Sequence, residues 1–147
     1  MGNHDLNSAA ESGPRAAVAQ APALNPWYGV MTLLYMIGIT LLSSIPRQPG
    51  PRHSLVEVGL NLGHIPLYAG LTWLLLRTMA AEAGRRVTPR TCITAALLLI
   101  AFGAADEWHQ SLVPGRSASL IDLTLDMMGI GAVVLFFRLS ALISEES

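Results

Sequence analysis

The chain has 147 residues, 52% of them hydrophobic and 13% charged, with a formal net charge of -1. That length holds one domain. The apolar balance argues against an ordinary soluble domain, and the lack of positive charge argues against a nucleic-acid binder, which needs a basic footprint.

Mean hydropathy is +0.47, and the apolar residues gather in long runs, the mark of a membrane protein. Every basic residue other than histidine is Arg. Cys92 is the only cysteine, so it offers neither an intrachain disulfide nor a metal framework and reads as a small helix residue.

Residues 1–26 are rich in Ala, Asn, Ser, Pro and Gly and have no apolar period, so they read as a disordered tail. Ala-rich, cleavage-like sequence precedes the first apolar run instead of following it, so that run is expected to stay as a signal-anchor. The first span is Trp27 to Ile45, with Trp27 and Tyr28 placed as interfacial anchors. Ser43, Ser44, Ile45 and Pro46 close it. A Pro/Gly loop follows, carrying Arg47 and Arg52, which suit lipid phosphate.

The second span is expected from Val58 to Met79. Asn61, His64 and Tyr68 are three and four residues apart and share a helix face. Pro66 falls in early turns, where a missing N–H is tolerated. Gly59 and Gly63 make a small-xxx-small pair for close packing, and Arg77 can snorkel at the other end. Residues 80–90 form a short basic loop. The third span is Thr91 to Ala105 and the fourth Leu120 to Ile143, where Gly129 and Gly131 favour close packing. A short acidic tail, 144–147, ends the chain.

The expected fold is therefore all-α, an integral membrane bundle of four transmembrane helices over residues 27–143. Arg15, Arg77, Arg85, Arg86, Arg90 and Arg138 lie on one side of such a bundle, and Arg47, Arg52 and Arg116 on the other. The positive-inside rule then places both termini in the cytoplasm.

The chemistry gathers between the last two spans, in DEWHQSLVPGRSASLIDLTLD from Asp106 to Asp126. An Asp at the centre of a membrane helix costs roughly 2.5–3.5 kcal/mol, and less near an end. Ionisable groups in such positions mark a site by default. Asp122 and Asp126 are spaced i, i+4, so their charges repel and call for an Arg, a cation or a proton; Arg116 is a candidate partner.

The candidate acid–base groups are His64, Asp106, His109, Asp122 and Asp126, and the candidate ligand-binding groups are Arg47, Tyr68, Gln110 and Arg116. Glu107 and Trp108 read as interfacial residues, and Ser117 and Ser119 as helix caps. Asp122 also has a plain account, a carboxylate favoured by the dipole at a helix N-terminus. Asp and His can bind a divalent metal, but no spacing here specifies a ligand set, so no metal is assigned and the cofactor is left open.

Three motifs carry a family resemblance: SSIPR at 43–47, His64-x3-Tyr68-x2-Leu71, and DEWHQ-x3-PGR-x5-D-x3-D-x2-G from Asp106 to Gly129. In order, loop length and four-span frame the chain resembles the VanZ-like family of small bacterial membrane proteins, over about residues 27–140. Two positions depart from that pattern. Asn61 stands where members often have Lys, and Asp126 where they commonly have Asn. One cation is removed and one carboxylate added.

The resemblance implies a bacterial cell-membrane setting and a link to low-level resistance to the glycopeptide teicoplanin. Two functions follow as expectations. The first is an outer-facing polar site that binds, with or without modifying it, an anionic envelope lipid, envelope precursor or glycopeptide-type ligand. The second is a scaffold or assembly partner whose polar cluster is structural.

Overall fold

The computed structural model describes residues 25–47, 54–80 and 87–144, with side chains from 58 onward in the middle segment. The expected tail lies outside these residues up to residue 24, with Arg15, as do Arg52, Arg85, Arg86 and the last three residues of the acidic tail; its last two residues, Asn25 and Pro26, instead start the first helix. The described residues form helices and their connections, with no strand among them: α1 (Pro26–Ser43), α2 (Ser54–Leu62), α3 (His64–Met79), α4 (Pro89–Ser111) and α5 (Leu120–Ile143).

Local chemistry sets most of the helix starts. The Asn25 side chain accepts the Trp27 and Tyr28 N–H groups, and Pro26 opens α1 with a fixed φ and no N–H to waste. Thr88 with Pro89 does the same for α4, and Ser119 accepts the Asp122 N–H at the head of α5. Ser119 is thus the cap that its sequence position suggested.

α3 is the centre of the bundle. It packs along α5 on one side and α1 on the other and also touches α4, while α1 and α5 do not meet among the described residues. Gly129 explains the close α3–α5 approach, since a Cβ there would run into the Ile65 carbonyl oxygen. Gly59 and Gly131 do not share this role: a Cβ on either meets nothing. Small-residue spacing alone could not tell these three glycines apart.

The buried positions include as many polar as apolar residues. Thr32, Ser43, Thr72, Thr78, Asp106 and Glu107 are inside, while Leu33, Leu34, Ile37, Leu97, Leu98, Leu135 and Phe136 face outward. A soluble fold would reverse this. An apolar exterior suits lipid, where internal contacts must satisfy the polar groups. Helices α1, α4 and α5 are each long and apolar enough to cross a membrane.

The second expected span is divided. Its helix begins at Ser54 and breaks at Gly63, because Pro66 has no N–H for the carbonyl of Leu62. Gly63 keeps helical dihedrals, so α2 runs into α3 with only a local fault. With 16 residues, α3 is about 24 Å long, short of a ~30 Å hydrocarbon core.

The third span also differs from expectation. α4 continues through Asp106 to Ser111, since polar side chains do not end a helix; the stop comes at Pro114 and Gly115.

At one end of the bundle Thr32 and Thr78 share a hydrogen bond at 3.0 Å, and the Asn25 N–H reaches the Thr78 carbonyl. Near that end Arg77 lies over the Trp73 and Phe137 rings, 5.2 and 5.7 Å from their centroids, instead of simply reaching for water. The site forms at the opposite end.

Candidate functional site

Four helix ends meet there: the C-termini of α1 and α4 and the N-termini of α3 and α5. On α4, Cys92, Ala95, Leu99, Gly103, Asp106, Glu107 and Gln110 form one buried stripe at helical spacing. Its last three members carry the polar chemistry. Asp106 and Glu107 are about 100° apart around the helix and so serve different neighbours.

Asp106 faces α1. Its Oδ2 accepts from Ser43 Oγ at 2.6 Å and from Gln110 Nε2 at 2.8 Å. Glu107 faces α5, where its Oε2 accepts the Ser119 backbone N–H at 2.6 Å. That carboxylate supplies from a neighbouring helix what the Glu of a capping box supplies within one.

Across the cluster, His64 Nδ1 and Asp126 Oδ1 are 2.9 Å apart, a hydrogen bond that becomes an ion pair when His64 is protonated, and no other such pair occurs among the described residues. Gly103 makes room for this group. A Cβ there would lie 3.3 Å from Asp126 Oδ2 and 3.4 Å from the Tyr68 hydroxyl.

The four carboxylates Asp106, Glu107, Asp122 and Asp126 are all buried. Every buried side-chain N or O found without a hydrogen-bond partner among the described residues belongs to this end: Tyr68 OH, Asp106 Oδ1, Glu107 Oε1, Arg116 Nε and Asp122 Oδ1. Each such group costs about 1–3 kcal/mol, more when charged, unless something else contacts it.

Two arginines flank the opening. Gly115 adopts φ +76°, a backbone conformation that suits glycine, and the turn brings the Pro114 carbonyl to the Arg47 N–H at 3.1 Å. Arg116 then folds onto α1, where its Nη1 donates to the Leu42 and Ser43 carbonyls at 3.1 and 3.0 Å. Burial, then the like charge of Arg47, lowers the Arg116 pKa below the ordinary guanidinium value. Neither arginine forms an ion pair with a described carboxylate.

Beneath them is a cavity of about 360 Å³. Its polar wall includes Ser43, Arg47, His64, Asp106, Gln110 and Arg116, and its apolar wall Ile39, Leu42, Ile45, Leu60 and Leu67. Ile39, Leu42 and Leu67 also line a second, almost wholly apolar groove of about 490 Å³ between α1 and α3, which continues past Leu34, Gly38 and Leu74.

The sequence candidates divide by place. Arg47, His64, Tyr68, Asp106, Gln110 and Arg116 border the cavity. Asp122 and Asp126 lie on the α5 side, with Asp126 held by His64. His109 stands apart, its Nε2 2.9 Å from Ser44 Oγ. Arg116 does not neutralise Asp122 or Asp126 as its position suggested; its Nη1 is engaged by the carbonyls that end α1. Glu107 is not interfacial but buried, 6% exposed, whereas Trp108 beside it is exposed.

Ser43 and Glu107 are the residues that the sequence assigned no chemistry. Extending the α4 stripe beyond Ala105 would have found Glu107, and the buried spacing Thr32, Ile39, Ser43 would have found the serine.

No family model, no curated protein and no solved structure matches this chain. Its function is therefore argued from the site alone.

Proposed function

We propose that this is a multipass protein of a bacterial cell membrane whose polar end binds an anionic, lipid-like molecule of the cell envelope. The observation that carries the proposal is that three residues with an unpartnered buried polar atom, Tyr68, Asp106 and Arg116, line one cavity. The charge pattern adds a direction: Arg47 and Arg116 lack ion-pair partners among the described residues at the opening, and a guanidinium suits phosphate or carboxylate. The adjoining groove gives the occupant's apolar tail a place. His64, Asp106, Asp122 and Asp126 supply acid–base groups for modifying a bound headgroup.

In this proposal α2 and α3 together cross the membrane as the fourth span, and the Arg distribution puts both termini in the cytoplasm. The site then faces outward, in keeping with the resemblance to VanZ-like proteins and its link to glycopeptide resistance.

Thermal unfolding of detergent-purified protein tests the proposal, with phosphatidylglycerol, phosphatidylcholine or teicoplanin added. Wild type should be stabilised by phosphatidylglycerol alone, and Arg116→Ala should lose that gain. Equal responses to all three additions would refute an anionic-lipid site.

A second function, a structural polar lock between helices, is favoured by the closed Ser43–Asp106–Gln110 set and by Arg116 on the α1 carbonyls. It leaves five buried polar atoms unexplained. It predicts that variants lose stability without any change in lipid response.

A further inference from the structure

A second cluster in this end of the bundle shares His64 with the arginine-flanked cavity and extends from it toward α5. One ligand atom each from His64, Glu107 and Asp126 lies within 4.8 Å of the others. The three come from α3, α4 and α5, so the fold, not a local sequence motif, brings them together. Glu107 and Asp126 are buried, and His64 is 14% exposed at its side chain.

Closeness of acids alone does not make a site, but the surroundings supply a second observation. Tyr68 is 2% exposed and its hydroxyl has no partner, although it flanks the same point above Gly103 as Asp126 Oδ2. Asp122, 7% exposed, leaves Oδ1 without a partner and lies close enough for its charge to act on Glu107. Glu107 itself commits only Oε2, to Ser119, and leaves Oε1 free.

With its carboxylates ionised, a buried set of one imidazole and several carboxylates, with oxygen atoms unused, is far short of positive charge. A protonated His64 supplies at most one unit, and Arg116 directs its Nη1 to carbonyl oxygens instead.

We propose that His64, Glu107 and Asp126 bind a divalent transition-metal cation of the Zn²⁺ or Mn²⁺ class. A single imidazole with carboxylate oxygens is a mixed N/O donor set. It suits those ions better than a thiolate-seeking metal such as Cu(I). Two carboxylates balance the ion's charge. The unpartnered Tyr68 hydroxyl, beside Asp126 Oδ2 above Gly103, is the further oxygen that would hold a water on the ion. The proposal does not depend on the lipid-binding function, because none of its ligands is an arginine and no lipid need be present.

The test is metal binding by delipidated, chelator-treated protein in detergent. Free Mn²⁺ is followed by its electron paramagnetic resonance signal, and Zn²⁺ is added as competitor. Wild type should bind one Mn²⁺ per chain and release it to Zn²⁺. Glu107→Gln should weaken binding at least about tenfold, by comparison with the 10–100-fold cost of losing even an outer-shell partner. Its amide oxygen can still accept the Ser119 N–H, so it should stay folded. Asp126→Asn should weaken binding similarly. Asp106→Asn, whose carboxylate faces α1, should bind as wild type does. Wild-type binding weaker than about 1 mM would overturn the proposal. So would equal losses in Asp106→Asn and Glu107→Gln, which would make the effect one of general charge.

Discussion

Glu107 Oε2 accepts the backbone N–H of Ser119 at 2.6 Å, so the last turn of α4 holds the cap of α5. The bond spans twelve residues and closes the turn that carries Pro114, Gly115 and Arg116. Hydrogen bonds to charged groups are worth about 1.5–3 kcal/mol. Removing the carboxylate also relieves repulsion from Asp122 and Asp126, which partly masks the loss. The clean comparison is therefore between two neutral variants. Glu107→Ala should be less stable than Glu107→Gln by about 1–2 kcal/mol in chemical unfolding. Equal stabilities would mean that the Ser119 contact contributes nothing.

The two glycines of α5 should respond in opposite ways. Gly129 sits against the Ile65 carbonyl, so Gly129→Ala forces α3 and α5 apart at a cost of about 1–3 kcal/mol. Gly131 faces open space, and Gly131→Ala should gain up to about 1 kcal/mol from helix propensity. Unfolding midpoints of the pair check the packing directly.

Tyr68 separates function from stability. A residue 2% exposed normally punishes substitution, yet its hydroxyl has no partner. Tyr68→Phe removes an unsatisfied polar atom and leaves the ring in place. Stability without ligand should stay equal or rise by about 1 kcal/mol, while stabilisation by phosphatidylglycerol or Mn²⁺ should fall. A large loss of stability in ligand-free protein would show that the hydroxyl serves the fold.

The proposed topology is checked by labelling. Cys92 is buried and can be replaced by Ser to give a cysteine-free background. Ser117→Cys lies at the site end and Arg90→Cys at the other, both at exposed positions. In intact cells a membrane-impermeant maleimide should label the first and not the second. The reverse pattern would turn the site to the cytoplasm.

The sequence showed the helical class and the polar end because both depend on near neighbours. Asp122 and Asp126 share a face of α5 at i, i+4, and Ser119 caps that helix. What it hid depended on distant partners. His64, not Arg116, holds Asp126, because α3 lies between α1 and α5. Arg116 turns to the α1 carbonyls because Gly115 and the Arg47–Pro114 hydrogen bond direct the loop that way. Glu107 was hidden for a local reason: polar composition after Ala105 resembled a helix end, although α4 continues for six more residues, to Ser111.

The most direct test of the binding account is native mass spectrometry of protein released from membranes, comparing wild type, Arg116→Ala and Gly38→Leu. Gly38 lines the apolar groove, and a Cβ there meets nothing, so Leu can fill the groove without a clash. Wild type should carry an anionic lipid. Arg116→Ala should lose it through the headgroup, and Gly38→Leu through the tail, while remaining as stable as wild type. A wild type free of lipid, or the same adduct on all three proteins, would contradict the account and leave the polar end as a structural lock.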